Sequence, residues 1–269
     1  MKSAALRVVE SQVEASLAGR VLSPFAVREQ RAPDTLPTGV PALNALTGGL
    51  PRGALTEIFG PASSGRSSLL LSLLAEVTTR QEACALVDAS DAFDPHSAAA
   101  AGVDLKWVLW VRCHVSSFKF RVSSSARETS NANRETFKRM EQALKATDLL
   151  LQAGGFGLVV VDLADIPPEV ARRVPLASWF RFRRAVEDTT TALLVMEQQP
   201  YAQSCASLVL RMQRNASALS FHPAKNGVPT HARLLRGISV SAEVVRSRLE
   251  RKPVHAVNAN FETRAAWAG

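Results

Sequence analysis

The chain has 269 residues, 46% hydrophobic and 21% charged, with a mean hydropathy of +0.02, which excludes a disordered or collagen-like polypeptide. Lys and Arg outnumber Asp and Glu by 32 to 24, for a net charge of +8 and a pI near 10. That balance suits an anionic partner, and equally a basic surface that binds no nucleic acid. Apolar runs such as Leu69–Ala75 and Leu158–Val161 fall far short of the ~20 residues a membrane-spanning helix needs. The start, with Lys2, Glu10 and Glu14, lacks the apolar stretch of a signal peptide. Cys84, Cys113 and Cys205 form no C-x-x-C pair. No disulfide framework or zinc site is expected, and the cysteine usage suits an intracellular protein.

Leu6, Val9, Val13 and Leu17 recur at spacings of three and four, which predicts an amphipathic helical arm over residues 1–22. Its apolar stripe needs a surface, either on its own core or on another subunit. Residues 23–37 carry three prolines and read as a linker. A core over 38–250 follows. Ala54–Phe59 is an apolar strand, then come a glycine turn and a helical run, Ser67–Thr79. Ala83–Asp88 and Trp107–Arg112 are further strands. Ser116–Arg134 is polar, with no apolar period after Phe120, and most of it reads as a surface loop. Phe137, Met140, Leu144, Thr147 and Leu151 mark a helix that stops at Gly154-Gly155. Phe156–Leu163 is a buried strand carrying Asp162, Leu176–Glu187 a helix and Ala192–Glu197 a strand.

Strands apolar on both faces and separated by helices imply a parallel sheet covered on both sides. The last third reads as short strands, Leu208–Met212, Ala218–His222, Arg233–Leu235 and Ile238–Arg246, with turns at Lys225–Gly227 and Arg236-Gly237. These predict an antiparallel extension of the sheet. The tail, 251–269, is expected to be irregular.

Gly60, Pro61, Ala62, Ser63, Ser64, Gly65, Arg66, Ser67 and Ser68 follow a strand and open a helix, which is the setting of a phosphate-binding loop. Glycine at both ends lets backbone N–H groups and the helix dipole converge on phosphate oxygens. Ser67 offers a hydroxyl for Mg²⁺. The usual lysine is replaced by Arg66, which keeps the charge but is longer, planar and forked. Asp162, at the end of Val159–Val161, has the Walker B placement near such a metal.

On these residues the chain resembles the bacterial RecA core. The likeness is carried by Leu36–Leu71 and Ala85–Pro95, then by Asp162, Gln198 and Ala242–Arg248. The small size and altered loop are most similar to ImuA-type proteins, which accompany a degenerate polymerase-like partner in damage-induced mutagenesis. The resemblance implies ATP and Mg²⁺ as ligands, single-stranded DNA as a partner, a translesion polymerase-like protein or RecA as another, self-association, and a cytoplasmic, nucleoid-associated location. It places Ser90 where the catalytic glutamate stands, with Asp91 one residue late and facing the opposite side. Asp94 matches the adenine-contacting aspartate, and the stacking tyrosine is Ser97. Gln198 matches the γ-phosphate sensor, and Arg246 and Arg248 match two lysines that reach a neighbouring subunit's nucleotide. The first DNA loop would lie in Ala164–Pro175, with Arg172 and Arg173, and the second is shortened to Gln199–Ala206.

The segment Trp179–Arg184 interleaves aromatics with arginines. On a helix, Trp179, Phe180 and Arg183 would share a side with Leu176, which makes a core helix with a basic outer face. Two functions remain open on the sequence: a non-catalytic accessory in DNA-damage tolerance, or an ATP-hydrolysing recombinase with an unusual loop.

Overall fold

The computed structural model describes residues 34–113, 125–221, 235–248 and 258–264. The arm over 1–22, most of the 23–37 linker, and 116–124 lie outside the described residues. The chain divides into Met1–Pro33 and Asp34–Gly269, and the second unit is the one described here.

The unit opens on a small ribbon, β1 (Thr35–Leu36) antiparallel to β2 (Leu50–Pro51), with α1 (Pro41–Thr47) between them. The end of the expected linker is therefore part of the core. Leu36 is fully buried with Leu43 and Leu50, because one apolar side chain is enough to pin a short segment to an existing face.

The main sheet has eight strands: β3 (Ala54–Phe59), β4 (Cys84–Asp88), β5 (Val108–Arg112), β6 (Leu158–Asp162), β7 (Ala192–Glu197), β8 (Leu208–Phe221), β9 (Leu235–Ser247) and β10 (Asn258–Arg264). Their spatial order is β10-β9-β8-β3-β7-β6-β4-β5. Neighbours from β8 to β5 run parallel, and β9 and β10 are antiparallel. This is the expected architecture, a mostly parallel α/β sheet with an antiparallel extension. The central strands are apolar on both faces because both are covered. One face carries α2 (Arg66–Thr79) and α3 (Pro95–Ala100), with Leu69, Leu73 and Val77 against Ile58, Leu86 and Val160. The other carries α4 (Ser125–Ala153), α5 (Pro168–Ala171) and α6 (Leu176–Val186), with Met140, Trp179 and Phe182 against Val159 and Leu193.

Four expectations are corrected. Residues 125–134 are not loop but the first turns of α4. They hold no glycine or proline, and once a helix is nucleated each added residue gains a hydrogen bond without a new nucleation cost. The short C-terminal strands are two long ones, and Arg236-Gly237 lies inside β9 instead of turning. The tail is not wholly irregular, since Asn258–Arg264 pairs with Glu243–Gly237, closing the backbone groups of an edge that β9 alone would expose. In α6 the buried side chains are Trp179, Phe182 and Val186, while Phe180 is 46% exposed. Cys84, Cys113 and Cys205 are buried free thiols.

Candidate functional site

Parallel strands send the loops after β3, β4, β6 and β7 to one edge of the sheet, where α/β proteins place ligands. The loop Gly60–Gly65 leaves β3 there and enters α2. Gly65 has φ +87°, and a Cβ on it would stand 2.7 Å from a Val240 methyl of β9. At Gly60 a Cβ would run into the Met212 carbonyl oxygen of β8. Strands β8 and β9 thus lean on the loop, and only glycine fits at both ends. The first N–H groups of α2 lack intrahelical partners and face a cleft of about 460 Å³ that is shared with Phe93, Asp94, Ser97, Asp162 and Asp165.

Arg66 does not reach freely into that cleft. It is 6% exposed, and its Nη1 donates to the Glu197 carbonyl oxygen at 2.5 Å. Burial pulls its pKa down, against the opposing pull of Asp162 and Asp165. Asp162 accepts from the Ala164 N–H at 2.9 Å. Burial lifts its carboxyl to about 7, opposed by the Ala164 N–H, reinforced by Asp88 and Asp165, and opposed again by Arg66. Ser64 Oγ is buried with no partner among the described residues. A backbone cradle with an unmet hydroxyl fits a phosphate chain, and Ser67 and Asp162, both on the cleft wall, are the residues that would hold a Mg²⁺ brought with it.

The hydrolytic side of the site does not match. The turn after β4 is built around Asp88, which is buried. Its carboxylate accepts from the N–H groups of Ser90 (3.1 Å), Ala92 (3.1 Å) and Phe93 (2.9 Å) and from Trp110 Nε1 (3.2 Å). Ser90 has no carboxylate to offer. Asp91, at φ +58°, pairs with Arg112 on β5 through two bonds of 2.6 and 2.7 Å. Neither residue lines the cleft. Asp94 is exposed and caps α3, accepting from the N–H groups of His96 and Ser97 (3.1 Å each) and from Ser97 Oγ (2.5 Å). The Ser97 hydroxyl and amide hold its carboxyl below the usual range.

The other expected residues stand elsewhere. Gln198 Nε2 donates to the Ile166 carbonyl at 3.4 Å, so it joins the β7 end to the loop after β6. Arg172 and Arg173 are exposed just after α5. Arg246 Nη2 donates to the Gln203 carbonyl, and Arg248 Nη2 donates to Ser204 at 2.7 Å. Both therefore brace the short 3₁₀ turn Gln203–Cys205 in the β7–β8 connection.

Sequence reasoning did not single out Asp165, Val240, Glu57 or Glu197. The glutamates had a signal, a carboxylate in each of two otherwise mostly apolar strands. Asp165 had none beyond its distance of three residues from Asp162.

The comparisons agree with this geometry. Residues 4–115 match the RecA N-terminal domain. RecA of Ectopseudomonas oleovorans is 34% identical over 178 residues, 65% of this chain and 42% of that protein. RecA of Aquifex aeolicus is 29% identical over 213 residues, 73% of this chain and 55% of that protein. RecA of Mesorhizobium japonicum is 35% identical over 164 residues, 60% and 38%. The chain thus spans roughly two-fifths to just over half the length of these relatives. Fold, loop and matched stretch together give the chain a RecA-like α/β fold. No described helix is long and apolar enough to cross a membrane.

Proposed function

We propose that this RecA-like chain is an accessory protein of DNA-damage tolerance and translesion synthesis, of the ImuA type. In this reading it acts in the cytoplasm through DNA or a polymerase-like protein partner, and its nucleotide site is degenerate. The observation that carries the reading is Arg66, whose cation is buried and bonded to the Glu197 carbonyl. A loop with its charge committed to its own protein holds phosphate by backbone alone. The absence of a cleft carboxylate from the Ser90–Asp91 turn supports binding without turnover, because hydrolysis needs a base placed within reach of water. RecA relatives at 34% identity favour a role in DNA repair or recombination.

The second reading is an ATP-dependent single-stranded-DNA-binding recombinase, and Ser67 and Asp162 on one cleft wall favour it. Steady-state ATPase assays with and without single-stranded DNA separate the two. We expect no DNA-stimulated turnover, and turnover abolished by Asp162→Ala would establish the recombinase. Calorimetric titration with ATP-Mg²⁺ reports whether the cradle binds at all. If exposed arginines such as Arg172 and Arg173 contact phosphates, log affinity for single strands falls against log salt with a slope of about −0.7 per contact. Binding that does not change with salt would point to a protein partner.

A further inference from the structure

Beneath the β7–β8 connection lies a pair of carboxyls that no nucleotide chemistry uses. Glu57 on β3 and Glu197 on β7 are both fully buried. Glu57 pairs in register with Val195, and Phe59 with Glu197, so the two glutamates are diagonal neighbours on one face of the sheet. Glu57 Oε1 accepts from the N–H groups of Tyr201 (2.6 Å) and Ala202 (2.9 Å) and so anchors the connection to the sheet. Glu57 Oε2 and both Glu197 oxygens find no protein donor among the described residues. Two bare carboxylates side by side in a dry site repel each other, whereas one proton between them makes a hydrogen bond.

We infer that Glu57 and Glu197 share one proton and act as a pH-sensitive latch on the β7–β8 connection, a role that stands beyond the function proposed above. In the closed state Glu197 carries the proton and donates it to Glu57, whose charge holds the Tyr201 and Ala202 amides. Raising the pH passes that proton to solvent and leaves two adjacent anions, and the connection lifts. Burial is the main cause that raises both carboxyls above the ordinary range. It raises Glu197 furthest, because the Glu57 charge and their mutual hydrogen bond add to burial there, with the Tyr201 amide opposing them. For Glu57, the Ala202 and Tyr201 amides, the bond to Glu197 and the Arg246 cation oppose the rise.

Charged and titratable neighbours of the pair come from several elements. Arg246 comes from β9, and Tyr201 and Cys205 come from the connection itself. Arg183 of α6 and Arg248 act on Cys205, and Glu169 of α5 and Arg172 just after it act on Tyr201. Arg66 of α2 holds the Glu197 carbonyl. Opening the latch therefore moves a residue that the phosphate loop also grips, and Gln198 follows it directly in the chain.

Amide hydrogen exchange of the full chain from about pH 6 to about pH 9 tests this. After correction for intrinsic rates, exchange at Tyr201 and Ala202 should accelerate by up to about tenfold per pH unit as the proton leaves. Glu197→Gln, whose amide donates at every pH, should flatten that profile while leaving both amides protected. Glu57→Met, which fills the space but has no oxygen to accept from them, should expose both amides at every pH. A wild-type profile without acceleration, or the same acceleration in Glu197→Gln, would overturn the latch. Should the variants fail to fold, ¹³C NMR of glutamate carboxyls in the wild-type protein decides. One resonance titrating far above the ordinary ~4.3 is expected, and all glutamates titrating near that value would sink the idea.

Discussion

Two turns leave the same edge of the sheet, one after β3 and one after β4, and they are organised in opposite ways. The β3 turn opens its backbone toward the cleft, with Gly60 and Gly65 pressed under Met212 and Val240. The β4 turn has folded in on itself, its amides bonded to Asp88 and its Asp91 bonded to Arg112. A cradle made by backbone N–H groups tolerates side-chain change. A carboxylate acts only where its own side chain points: Ser90 has none, and Asp91, in the left-handed region at φ +58°, turns to Arg112 instead of the cleft.

The largest effect that would break the contrast is expected from Asp88→Ala. It removes one buried acceptor and strands three amides and the Trp110 N–H, which should cost about 3–5 kcal/mol in chemical denaturation. If the loss is below about 1 kcal/mol, the β4 turn is not organised by this carboxylate. Gly65→Ala comes next, at about 1–3 kcal/mol, from the left-handed backbone and the contact with Val240. Its ATP-Mg²⁺ affinity should fall as well, and unchanged calorimetric binding would place the phosphate contact elsewhere.

Arg66→Lys should act on binding more than on folding. A compact ammonium cannot span to the Glu197 carbonyl as the guanidinium does and is released toward the cleft. Affinity for ATP-Mg²⁺ should rise about tenfold, equivalent to about 1.4 kcal/mol. An affinity that stays level would mean the arginine already serves the phosphate. The smallest effect is expected from Ser90→Glu, which should restore no measurable ATP turnover. Arg66 remains bonded to protein and the turn remains organised by Asp88, and groups that act as a unit return little when repaired singly. Turnover in that variant would show the remaining site to be competent.

Much of this was legible in the residues. Strands such as Ala192–Glu197 were placed by continuous apolar runs between helical periods, and the loop by its glycines and its position after a strand. The amino-terminal end of α4 was not legible, because Ser125–Arg134 has no apolar side chain larger than Ala126 and Ala132 to mark a face. Strand β10 was missed for a similar reason. Asn258–Arg264 offers Ala259 and Phe261 as its apolar residues, and its pairing is decided by the open edge of β9.

What the sequence determined by itself is therefore local: the glycine-bounded turn, the apolar periods and the order of strand and helix, all set by interactions within a few residues. Where Arg66 ends, what Asp91 pairs with, and the meeting of Glu57 with Glu197 were decided by the tertiary structure. Those partners lie 131, 21 and 140 positions apart in the chain, and a side chain's partner across that distance follows from sheet order, which no local spacing encodes.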